Sequence, residues 1–154
     1  MHAYLPNISA IKKLIFVSAF FLCSFLSFSQ SKDLLDYIDQ KIVKIDENIA
    51  DKHYLQAMAK IEELETYSSY IKNDEHRLLL QLKRAEALYG MEEQQKAMDI
   101  LLKGFAETKI LEFPELRIAY GKDLSQKLFD AQNFSRSIYF SKVTLNEAIS
   151  LRDT

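Results

Sequence analysis

The chain has 154 residues, with 20 basic and 22 acidic side chains, 48% hydrophobic residues and a single cysteine, Cys23. Basic and acidic residues alternate without a Lys/Arg cluster, so neither a phosphate-tracking groove nor a nucleic-acid partner is expected. One cysteine can form neither an internal disulfide nor a thiolate metal site, so stability must come from packing.

The N-terminal segment differs from the rest. Lys12 and Lys13 precede an uncharged run from Leu14 to Phe28, built mostly of Phe, Leu, Ile and Val. This is the pattern of a secretory signal, with Ser27 and Ser29 at the minus-three and minus-one positions of a cleavage site before Gln30. The run falls short of the ~20 residues that a membrane-spanning helix needs. Cys23 follows Leu22 and lacks the small neighbour of a lipoprotein signal. The expectation is a leader over 1–29 and an exported chain over 30–154, periplasmic or extracellular, anchored to a membrane only if the leader is retained.

Beyond Gln30 the composition favours helix: Gly is confined to Gly90, Gly104 and Gly121 and Pro to Pro114. Ser31 can cap a first helix to about Ala50, with Ile38, Ile42, Ile45 and Ile49 on one face. After a turn at Asp51-Lys52, a second helix to about Lys72 presents Ala57, Ile61, Leu64, Ser68 and Ile71. Asn73-Asp74 caps a third helix, to about Tyr89, with the stripe Leu78, Leu82, Ala85 and Tyr89. Gly90 breaks the chain before a fourth helix, about Glu93 to Leu111, carrying Ala97, Leu101 and Gly104. Phe113-Pro114 opens a fifth, to about Asp130, with Leu116, Tyr120, Leu124 and Leu128. Asn133 caps the last, Phe134 to about Arg152.

These elements repeat at a step of forty residues. Ala57, Ala97 and Ser137 occupy one register, the turn positions Ala50, Gly90 and Asp130 another, and the junctions Asn73-Asp74 and Phe113-Pro114 a third. The expected fold is all-α, with three hairpins over about 32–72, 75–111 and 114–152. The pattern resembles the tetratricopeptide repeat family. Ala85 with Ala97 and Ser125 with Ser137 show its small-residue pairs twelve apart, Leu88, Leu101 and Gly104 match its large and small positions, and Tyr54 and Phe134 match an aromatic opening the second helix. Ile45, Asn48 and Ser141 depart from it, and forty residues exceed the family's 34 by about six, a little under one helical turn in each of the two helices.

The resemblance implies a short right-handed solenoid of three stacked hairpins that binds a peptide or a protein helix on the surface lined by its first helices. By the family's geometry the groove-lining residues are Lys83, Glu86, Tyr89, Gln126 and Phe129. Apolar residues of the last helix spread over more than one stripe. Tyr139, Phe140, Val143 and Leu151 are the expected C-terminal interface, for a partner or for a second copy in a homo-oligomer.

No constellation for catalysis is legible. His53 and His76 have no second histidine one turn away, pairs such as Glu62-Glu63 read as solvated faces, and the three glycines are too far apart to cradle a phosphate. The chain is therefore expected not to be an enzyme and to use no metal or cofactor. Three functions stay open: an exported protein-protein interaction scaffold, the shortened sensor region of a bacterial envelope receptor, and a periplasmic binder of a small apolar ligand.

Overall fold

In a computed structural model of the chain, residues 34, 36–71 and 73–152 are described, and the side chains of all of these but 68–71. The expected leader over 1–29, the Ser31 cap and the side chains of Ser68 and Ile71 lie outside the described residues. The chain divides into two compact units, Met1–Asp39 and Gln40–Thr154.

The described residues are helical, with no strand among them. Helix α1 spans 36–50, followed by α2 (Tyr54–Ile71), α3 (Asp74–Gly90), α4 (Gln94–Ile110), α5 (Pro114–Asp130) and α6 (Phe134–Arg152). None of these is long and apolar enough to cross a membrane. The starts follow local chemistry. The Asn73 side chain accepts from the His76 N–H at 2.9 Å, Asn133 accepts from that of Arg136 at 3.4 Å, and Pro114 takes the first turn of α5, where its missing N–H costs nothing.

The ends are more unusual. Lys52, Glu92, Glu112 and Gln132 have φ of 62°, 66°, 59° and 59°, and no glycine has a positive φ. Beyond each of them, the N–H of His53, Glu93, Phe113 or Asn133 bonds the carbonyl five residues back, at 2.7 to 3.0 Å. This is the Schellman closure, in which the left-handed residue is ordinarily glycine. Gly90, expected as the break, is instead the last residue of α3. Its value lies in what it lacks, since a Cβ there would meet the Tyr54 ring.

Successive helices pack in order, α2 on α3, α3 on α4, α4 on α5 and α5 on α6, and α5 also reaches back to α3. Leu78, Leu82, Ala85, Ala97, Leu101 and Leu124 are buried in one continuous core. Ile42, Ala57, Ile61 and Leu64 on the earlier helices are buried as well. The small positions allow close approach. Ala85 and Ala97 are buried, and their counterparts Ser125 and Ser137 exchange bonds: Ser137 Oγ donates to the Ser125 carbonyl at 2.8 Å and Ser125 Oγ to that of Ser137 at 3.3 Å.

Two interhelix ion pairs also stand forty residues apart. Arg77 on α3 meets Glu107 on α4 at 2.9 Å, and Arg117 on α5 meets Glu147 on α6 at 3.3 Å, its guanidinium lying 4.3 Å from the centre of the Phe105 ring.

Candidate functional site

Odd-numbered helices bring their polar residues together on one face. Lys83 on α3 reaches Asp46 on α1 at 2.9 Å and Glu86 one turn along its own helix at 3.3 Å. Across to α5, the Lys127 ammonium sits 4.2 Å from the centre of the Tyr89 ring, a cation–π contact. Asp123 lies within electrostatic reach of Lys83, Glu86 and Lys127. Three helices thus contribute to one network.

Its electrostatics follow from half-burial. Burial holds the Glu86 carboxyl above the usual carboxylate range, with Lys83 opposing and the neighbouring carboxylates of Asp123 and Asp46 adding to the rise. Burial likewise raises Asp123, against the pull of Lys127, Lys83 and Lys122. For Lys83 burial alone would favour the neutral form, but the hydrogen bond to Asp46 and the charges of Glu86 and Asp46 outweigh it and raise the ammonium's pKa. Oδ2 of Asp123 is buried and has no hydrogen-bond partner among the described residues.

The five residues expected to line a groove divide. Lys83, Glu86 and Tyr89 belong to this network. Gln126 donates to Asp130 at 2.8 Å and lines a separate hollow between α5 and α6. Phe129 stands exposed at that same end, edge-on to Phe134 with ring centres 5.4 Å apart. Asp46, Asp123 and Lys127 went unnoticed in the sequence, although Asp123 stands forty residues after Lys83 in the repeating register.

Of the four C-terminal residues, Tyr139 is exposed and Leu151 half-buried. Phe140 is buried, edge-on to Phe105 at 5.3 Å, and Val143 packs on the core. The apolar stripe that does face outward is Phe134, Ile138, Leu145 and Ile149.

The described residues line surface hollows. One lies over the start of α2, lined by Lys52, Tyr54, Leu55 and Met91; a second lies between α5 and α6; a third is bounded by Thr108, Glu112, Pro114 and Glu147. No group of three or more His, Cys, Asp or Glu able to hold a metal occurs among the described residues. Comparison with protein-family models, with curated proteins and with solved structures found no match to this chain.

Proposed function

We propose that the chain is an exported protein-protein interaction scaffold, built as a short right-handed solenoid of three forty-residue hairpins and binding a peptide or helix on the face of α1, α3 and α5. The solenoid reading is supported by features that recur at the same step: the left-handed residues Lys52, Glu92 and Gln132, the pairs Arg77–Glu107 and Arg117–Glu147, and the small residues Ala97 and Ser137, both buried. Stacked repeats bury a continuous core and leave one side of each hairpin to line a shared surface.

The network of Asp46, Lys83, Glu86, Tyr89, Asp123 and Lys127 is the single observation that carries the binding face. Half-buried carboxyls whose ionised forms are disfavoured add little to stability, and the buried Asp123 Oδ2 has no hydrogen-bond donor among the described residues. A ligand that brings a basic side chain to this face would favour the ionised carboxyls of Glu86 and Asp123. The small-ligand alternative calls for an enclosed cavity, whereas the hollows described above open onto the surface.

Site-specific photo-cross-linking in the native envelope tests this. A cross-linker at Glu86 should yield a discrete adduct that Asp123→Lys removes, while one at Lys96, on the exposed side of α4, yields none. Equal labelling from both positions would sink the assignment of the face.

A further inference from the structure

Helix α5 fills the groove between α3 and α4. Its Tyr120 donates to the Leu78 carbonyl and lies over Gly104, and its Arg117 covers Phe105. Beneath it, Leu78, Leu82, Ala85, Leu101 and Phe105 are buried. Forty residues on, the corresponding positions are Ile118, Lys122, Ser125, Ser141 and Leu145. These line the groove between α5 and α6, a hollow of about 430 Å³ that no described helix covers. Its α6 wall continues as Phe134, Ile138 and Ile149, each at least half exposed. Among the described residues it is a helix seat with no helix in it.

Charge narrows the occupant. Lys122 stands where Leu82 is buried in the preceding groove, and no acidic residue is among the groove's lining. A helix laid there takes the ammonium out of water, which is unfavourable unless the guest brings a carboxylate to it. Size narrows it further. Gly104 makes room for the Tyr120 ring, whereas its counterpart is Thr144, so a bulky aromatic at that point has no room.

A second copy fits the groove poorly. In a two-fold contact the groove would meet its own lining, which offers Lys122 no carboxylate. In a head-to-tail contact α1 would present Gln40, Lys44 and Glu47, the exposed counterparts of Tyr120, Leu124 and Lys127, with Val43 as its exposed large aliphatic side chain, where α5 brings Tyr120 and Leu124 into the preceding groove. We propose that the α5–α6 groove seats an amphipathic helix of a partner protein, one carrying Asp or Glu opposite Lys122 and a small side chain opposite Thr144. The assignment rests on the forty-residue register and is independent of the face formed by α1, α3 and α5.

Two fluorescently labelled peptides of about 18 residues, long enough for five turns, provide the test. Both carry the same Leu/Ala stripe, with Glu in one and Lys in the other at its central edge, and each is titrated with the full chain by anisotropy. The Glu peptide should bind at least ~10-fold more tightly, about one decade in Kd. Lys122→Glu should invert that preference, Leu145→Arg should weaken both peptides ~10-fold or more, and Lys96→Glu, a charge control on α4, should change neither. Lys122 and Leu145 are exposed, and circular dichroism checks that each variant stays folded. Equal affinities, a preference that survives Lys122→Glu, or no binding of either peptide at about 1 mM overturns the proposal. So does sedimentation showing a dimer that Leu145→Arg dissolves and the Glu peptide does not, which assigns the groove to a second copy.

Discussion

The hydroxyl of Tyr120 donates to the main-chain carbonyl of Leu78 across 2.7 Å, joining residues 42 apart in sequence and two helices apart in the packing. The side chain is fully buried, and burial raises its pKa far above the ordinary phenol range, so it is a neutral donor at every physiological pH. The ring rests where a Cβ of Gly104 would be, so α3, α4 and α5 meet at one aromatic side chain.

Tyr120→Phe keeps the ring and removes the donor. It should cost about 1 kcal/mol in urea unfolding, the net worth of a buried hydrogen bond, since the Leu78 carbonyl retains its place in α3. Gly104→Ala should cost more, about 1–3 kcal/mol, because the ring it displaces is held at its far end. In the double variant with Tyr120→Leu, the cost should fall well below the sum of the single losses, because the clash requires both partners. Additivity in that cycle would show that Gly104 acts through helix propensity and not through the ring.

The turns invert the usual rule for glycine. Glu92 and Gln132 hold left-handed backbone that is strained for any residue with a Cβ. Glu92→Gly and Gln132→Gly should each stabilise by about 0.5–1 kcal/mol despite the greater freedom glycine gives the unfolded chain. Gly90→Ala should not, since Gly90 has no positive φ and its Cβ would strike Tyr54. Shifts in urea midpoint at unchanged m-value are the measurement.

Stability should depend on pH through Glu86 and Asp123. Both fold into sites that hold the proton more tightly than the unfolded chain does. Their contribution is therefore fully present below the ordinary carboxylate range and is lost as pH rises through their raised folded values. Lys83, raised as well, contributes below the ordinary lysine range and loses that contribution only as pH climbs through its raised value. Comparing wild type with Glu86→Gln/Asp123→Asn, the stability difference should grow in favour of the variant from mildly acidic to neutral pH. A difference that is flat with pH would contradict the burial argument.

The serine clasp between α5 and α6 offers a milder contrast. Ser125→Ala should cost about 0.5–1.5 kcal/mol by leaving its partners unmatched, while Ser125→Ala/Ser137→Ala, which recreates the Ala85 and Ala97 pair, should be close to neutral. Thermal unfolding of the three chains distinguishes the two outcomes.

Helix positions were legible because burial on an amphipathic helix is written at a local period, and Asn73 and Pro114 mark starts through chemistry confined to one turn. Gly90 misled for the opposite reason: its partner is Tyr54, and nothing within a few residues of Gly90 reveals that an aromatic ring will lie against it. Phe140 likewise could be placed on α6 but not aimed, since only the position of Phe105 turns it inward. In the candidate site Lys83 and Glu86 were within reach of the repeat register. Asp123 and Lys127 were in the same register but looked like a solvated face, because a charge on a helix surface becomes half-buried only once a neighbouring helix is set beside it.

The order of packing has a kinetic consequence. Among α2 to α6, contacts join each helix to the next, and the α3–α5 contact is the sole exception. A chain organised in this way closes short loops before long ones and has a low relative contact order, which places its folding in the microsecond-to-millisecond range. The α3–α5 contact, with the Tyr120–Leu78 bond inside it, requires α4 to be in place first. Folding of the C-terminal half should therefore wait on the middle hairpin, and amide exchange should be slowest around Leu78, Gly104 and Tyr120 and fastest along α6.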